Sequence, residues 1–311
     1  MKKRLFYLFA ITGLLLTSCT NAVPEDSNLQ TKEQVNVMVS ILPQVDFVER
    51  IGKEKVIVSE MIPPGFSPAT HDPSPEQLVK LQNADIYFRI GHIPFEKAQM
   101  DRLIDLNPNM VVVDTSKDVP LLEMASHSHD HEEEHEDGEE HHENDEDEHS
   151  TDPHIWLSPE AVKIQARNIY EALVSYSPED QEYFETNYNE FVSALEDLDN
   201  ELENTFLRMK EETIFVFHPA FGYLADAYDF EQEAIEIEGK DPSPEHLRNI
   251  IDRANEEAVR VIFVQKQFST RSAEAVADEI DGVVVQIDPL ARDYLQNMQE
   301  MATTIVNELS K

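Results

Sequence analysis

The chain has 311 residues, of which 63 are acidic and 24 basic, giving a formal net charge of −39. Phosphate contacts need a basic face, so this acidic excess disfavours a nucleic-acid partner, and a single cysteine excludes an internal disulfide framework. With the acid-rich segment 123–150 set aside, acids still outnumber bases roughly two to one, which points to a cation as ligand or to a saline habitat.

In chain order, Lys2, Lys3 and Arg4 precede an apolar run from Leu5 to Leu16 that ends in Leu16-Thr17-Ser18-Cys19. A charged start, a short apolar middle and small residues before a cut describe an export signal, too short for a permanent membrane span. The last four residues resemble the bacterial lipoprotein cleavage box, which implies a signal peptide over 1–18 and lipidation of Cys19. Residues 19–33 are polar and read as a tether. No later apolar stretch reaches transmembrane length.

From Val35 onward, compact β-branched runs at 35–41, 56–62, 86–90 and 110–113 alternate with helically spaced runs at 44–51, 75–82 and 94–106. A second series has strands at 213–217, 233–237, 259–264 and 283–287, with helices at 220–228, 244–254, 271–280 and 291–310. This pattern predicts an α/β protein of two similar lobes, 34–176 and 211–311, each a mostly parallel sheet flanked by helices. Between them, 177–210 opens on Ser177-Pro178-Glu179-Asp180 and carries apolar residues every three or four positions. That spacing predicts one long spine helix of about 45 Å. The lobes share an echo: Asp72-Pro73-Ser74-Pro75-Glu76-Gln77-Leu78 returns as Asp241-Pro242-Ser243-Pro244-Glu245-His246-Leu247, each placed as a helix start.

The twelve histidines divide into two sets. His127, His129, His131, His135, His141, His142 and His149 alternate with Asp and Glu in an anionic run without Lys or Arg. Such a run cannot bury apolar surface, so a disordered loop with weak, auxiliary metal sites is expected over 123–150. The loop could gather scarce ions or report abundance. The other five are His71, His92, His154, His218 and His246. His218 ends one strand run, Asp288 follows another, and His154 lies in Asp152-Pro153-His154-Ile155-Trp156, beside the only tryptophan. Ligands of α/β lobes bind beyond the carboxyl ends of strands, so these loop positions are candidate metal ligands. His71 stands where the second copy of the echo has Lys240, while His92 and His246 read as structural or surface residues.

These residues carry a resemblance. Asp152-Pro153-His154-Ile155-Trp156-Leu157-Ser158-Pro159, the run from His218-Pro219-Ala220-Phe221-Gly222 to Tyr228, Ile287-Asp288-Pro289-Leu290, the spine helix and the His/acid loop are similar to the ZnuA-type solute-binding lipoproteins of zinc and manganese ABC importers. The resemblance spans essentially the whole mature length. It implies a metal held between the lobes by one ligand from each of four loops: His71, His154, His218 and Asp288. The family pattern at the first loop reads Pro-His-x-aromatic-acid-Pro, which sets Ala69 at the usual ligand position and His71 two residues later. Imidazole from His218 at the third position suits Zn²⁺ better than Mn²⁺, although copper and nickel also accept imidazole. The implied protein is therefore a monomeric, lipid-anchored, extracytoplasmic Zn²⁺ receptor serving the permease of an ABC importer. A zinc hydrolase would need an open metal position beside a carboxylate base, and no HExxH pairing occurs in the chain. A surface adhesin or metal buffer would use the acidic loop but give no account of the duplicated lobes.

Overall fold

The structure, a computed structural model, describes residues 34–124, 151–236 and 242–311. Strands β1 (Val35–Val39), β2 (Val56–Glu60), β3 (Ile86–Arg89) and β4 (Val111–Asp114) form a parallel sheet in the order β2-β1-β3-β4. Parallel neighbours need crossovers, here supplied by α1 (Leu42–Gly52), α2 (Pro75–Gln82) and α3 (Pro94–Leu106). Interior strands β1 and β3 are covered on both faces: Val37, Met38, Val39, Ile86, Tyr87 and Phe88 are all buried. Two helices then run in succession, α4 (Pro159–Tyr176) and α5 (Gln181–Phe206).

The second sheet comprises β5 (Thr213–Val216), β6 (Glu231–Ala234), β7 (Val261–Gln265) and β8 (Val283–Ile287), parallel and in the order β6-β5-β7-β8. Helices α6 (Gly222–Tyr228), α7 (Pro244–Glu256) and α8 (Arg271–Glu279) connect its strands, and α9 (Tyr294–Leu309) closes the chain. The two sheet orders superpose term by term, so the duplication expected from the echo is present in the topology. Ser74 and Ser243 stand at matching places, after β2 and β6. Each hydroxyl accepts a hydrogen bond from the backbone N–H three residues on, at 3.4 and 3.1 Å, with proline at the first helical position.

Three elements depart from expectation. Helix α4 has no counterpart among the predicted helices. Its buried stripe mixes Val162, Ile169 and Leu173 with Gln165 and Asn168, which blurs the apolar period. Helix α5 has 26 residues, about 39 Å at the standard rise, because Pro178–Asp180 form a separate 3-10 turn before it. Strand β6 begins two residues early, on the polar Glu231-Gln232-Glu233, as an edge strand can.

One apolar core extends from the first sheet through α4 and α5 into β5, α6 and α9. A smaller cluster, including Phe215, Ile262, Ile250 and Val276, lies between the second sheet and α7 and α8. Helix α9 also returns to the first lobe. Tyr294 meets Phe47 edge to face at 5.0 Å, its N–H donates to Asp46 at 3.3 Å, and Arg292 pairs with Glu49 at 2.6 Å.

Candidate metal centre

His218 lies just beyond β5, where Gln265 fixes the backbone from both sides: His218 N–H donates to Gln265 Oε1 at 3.2 Å, and Gln265 Nε2 donates to His218 O at 2.6 Å. His154 caps the 3-10 turn Ile155–Leu157, buried against the first lobe. Each imidazole is oriented by a buried carboxylate. His154 Nδ1 lies 2.6 Å from Asp152 Oδ1, and His218 Nδ1 lies 2.5 Å from Glu236 Oε1. Asp152 has room for its carboxylate because residue 222 is glycine; a Cβ there would collide with it. Trp156 stands edge-on to His154 with ring centroids 5.1 Å apart, and its indole N–H donates to Pro289 O in the second lobe at 2.8 Å.

With both Nδ1 atoms engaged, the two Nε2 atoms face each other at 3.3 Å. Two imidazole nitrogens bound to a tetrahedral zinc at its usual bond length are about 3.3–3.4 Å apart. The pair is thus already spaced as a chelate. Burial holds the His218 imidazole below its ordinary pKa, with the Glu236 hydrogen bond opposing and the neighbouring His154 adding to the effect, so the unprotonated, metal-accepting form is favoured.

The pair opens on a cavity of about 70 Å³. Its first-lobe wall is Ser67, Pro68, Ala69, Ile93 and Pro94, and its second-lobe wall includes Gln267 and Phe268. Of the four residues expected as ligands, the structure brings His154 and His218 together. Asp288 lies behind Gln267: its Oδ1 accepts from Gln267 Nε2 at 2.8 Å and from Leu290 N–H at 3.1 Å, and Lys266 Nζ is 3.7 Å from Oδ2. His71 stands between Phe66 and Phe95, ring centroids 5.5 and 5.8 Å away, and its buried Nε2 makes no hydrogen bond among the described residues. The loop that carries His71 does wall the cavity, through Ala69. Among the described residues, no group of three or more His, Cys, Asp or Glu side chains is gathered tightly enough to hold an ion. His92 is instead hydrogen-bonded to Ser116 at 3.3 Å, and His246 belongs to the first turn of α7. Cys19 and the seven histidines from His127 to His149 lie outside the described residues.

The family description "Zinc-uptake complex component A periplasmic", ZnuA, matches residues 37–308. The chain belongs to the ZnuA family. A ZnuA relative, the high-affinity zinc uptake system protein of Bacillus subtilis (strain 168), is 31% identical over 283 residues, covering 88% of this chain and 84% of its own length. A crystal structure of ZnuA superposes with a TM-score of 0.79 at 35% identity, over 88% of this chain and 99% of that one. A second ZnuA structure, a 138–173 deletion mutant with zinc bound, gives 0.78 at 35% identity over 88% and 98%. ZnuA membership places the chain in an extracytoplasmic receptor family. Among the described residues no helix is long and apolar enough to cross a membrane.

Sequence reasoning did not single out Glu236 or Gln267. Glu236 lies 18 residues from the histidine it orients, and nothing local marks it. Gln267 follows the carboxyl end of β7, a position that the strand-end rule would have flagged had glutamine counted as site chemistry.

Proposed function

We propose that the protein is an exported receptor that captures one Zn²⁺ ion between its lobes and delivers it to the membrane permease of an ABC importer. The observation that carries this is the 3.3 Å spacing of the two Nε2 atoms, each imidazole oriented by its own carboxylate. Outer carboxylates of this kind fix the ring and raise ligand basicity. Nitrogen donors favour zinc over manganese, and the zinc-named relatives support the same choice. Asp288 and His71, from the two remaining loops, complete the ligand set in this reading. The role is capture rather than catalysis. Cys19 carries the lipid anchor, the receptor acts as a monomer on the extracytoplasmic face, and the His/acid run 123–150 adds weak auxiliary sites.

Trp156 provides the readout, since the only indole of the chain stands beside His154. Zinc titrated into the metal-free protein should change tryptophan emission and saturate at one equivalent. His154→Ala and His218→Ala should each weaken that step at least tenfold, within the usual range for lost zinc ligands and their supports. An unchanged titration in both variants defeats the proposal.

A further inference from the structure

Helices α4, α5 and α6 bound a groove of about 720 Å³ that shares no residue with the cavity of the histidine pair. That volume is within the range of small-molecule sites, and the receptor reading makes no use of it. On the side of α5 and α6 the groove rests on an aromatic stack. Tyr228 packs on Phe206 with ring centroids 5.3 Å apart, and its hydroxyl donates to Asp199 at 2.9 Å. Burial first, and then the Asp199 charge, push the Tyr228 hydroxyl above its ordinary pKa, so the phenol remains a donor that anchors Asp199. Both rings are buried, yet Leu207, next to Phe206 in the chain, is 59% exposed. An occupant of the groove would gain by covering that leucine.

Five carboxylates and three cations line the groove. All three cations are already paired: Lys163 with Glu160 at 2.5 Å, Arg167 with Asp118 at 3.3 Å, and Lys210 with Asp229 at 2.8 Å. Lys210 also feels the charge of Glu203, but less than that of Asp229. These pairings leave Asp199, Glu203 and Asp226 over. Asp199 and Glu203 stand one turn apart on α5, a like-charge arrangement that is unfavourable by itself, and Asp226 lies on α6. The remainder calls for positive charge. A bare metal ion is the wrong form of it, because among the described residues no three His, Cys, Asp or Glu side chains are gathered tightly enough to hold one. Charges distributed along a carbon chain can meet carboxylates that are spread out, while the chain lies on apolar surface as a lysine stem does.

We propose that this groove is a second binding site, for a linear polyamine. Its ammonium groups pair with Asp199, Glu203 and Asp226, and its methylenes lie along Phe206, Tyr228 and Leu207. The His/acid run 123–150 is unsuited to the same place, since it is itself anionic.

The test titrates spermidine calorimetrically into the full-length protein in millimolar Mg²⁺, which supplies divalent charge without a carbon chain. One equivalent should bind above the background of the acidic run. In Glu203→Gln/Asp226→Asn that equivalent should bind about tenfold more weakly, the scale of two exposed charge contacts, while the background, which comes from the run, stays the same. The zinc step detected through Trp156 should be unchanged in this variant, showing that it is folded and that the two sites are separate. If the zinc step is missing from both proteins, the receptor reading falls, far-UV circular dichroism reports the folding, and the spermidine comparison still stands. Equal spermidine binding by the unsubstituted protein and the folded double variant overturns the proposal. So does complete displacement of spermidine by Mg²⁺, which would reduce the binding to a counter-ion atmosphere.

Discussion

Glu96 sits in the first turn of α3 with its carboxyl group buried beyond the carboxyl ends of the neighbouring strands β1 and β3. Ile90 N–H donates to it at 2.8 Å, Gly91 N–H at 2.5 Å, and Ser40 Oγ also donates. Gly91 is required by the turn. Its φ is 98°, and a Cβ would stand 2.8 Å from the Asp114 carboxylate. Despite three donors, burial dominates and pushes the Glu96 pKa up to about 7. Below the ordinary glutamate range both folded and unfolded chains hold this proton. As pH rises toward 7 the unfolded chain releases it and the folded chain keeps it, so the folded state loses stability across that window and stays less stable above it. The loss is on the order of 3 kcal/mol. Glu96→Gln should flatten the dependence, read as urea midpoints at pH 5 and pH 8. A variant that tracks the unsubstituted protein at both pH values removes Glu96 from the account. At this scale the sequence was partly legible. His154 and His218 stood out as rare histidines at the edges of strand or helix runs. Glu96, Glu236 and Gln267 did not, because what distinguishes them is burial and contact across 6 to 21 residues or more, and their sequence neighbours show neither.

Among elements, those with local causes were read well. The βα alternation, the proline and serine helix starts at Ser74 and Ser243, and the amphipathic stripe of α5 with Phe184, Phe191, Leu195, Leu198 and Leu202 buried all follow from short-range patterns. Helix α4 was missed where polar Gln165 and Asn168 occupy its buried face, their amide N–H groups donating to backbone carbonyls: Ile155 O for the first, Thr115 O and Lys117 O for the second. Only the fold supplies those partners. The His/acid run 123–150 is an element defined by composition. Its flanks meet, since Glu123 and Thr151 form an antiparallel bridge and Asp152 N–H donates to Leu122 O at 2.9 Å. A run whose ends are already joined can be shortened without moving Asp152 or His154. A chain must lose conformational entropy to wrap an ion, whereas the histidine pair is fixed beforehand, so sites in the run should be the weaker ones. Deleting 125–150 should lower the total zinc bound at high concentration and leave the tight, tryptophan-detected step intact. Loss of that step with the run would place the tight site in the run.

At the scale of the molecule, the lobes are tied by more than the spine. The shared core passes through α4 and α5, Trp156 donates to Pro289 O, Leu122 N–H donates to Tyr223 Oη at 2.9 Å, and Arg292 reaches Glu49. The described residues fall in one compact unit. Hinge closure works where few contacts cross between bodies and a short segment absorbs the backbone rotation. Here a rotation of the lobes would have to expose part of a common apolar core and break the buried Trp156–Pro289 hydrogen bond beside the metal cavity. The ion should therefore be met by local rearrangement: Asp288 leaving Lys266, Gln267 turning with it, and the loop from Pro63 to His71 shifting over Phe66, whose side chain is 55% exposed. For the chain lacking 125–150, the radius of gyration from X-ray scattering should agree within error between the metal-free and zinc-loaded states, while amide exchange slows in the loop containing Ala69 and His71. A contraction on zinc binding would mean that the lobes close as rigid bodies, and the cross-ties would then have to be weaker than their burial implies.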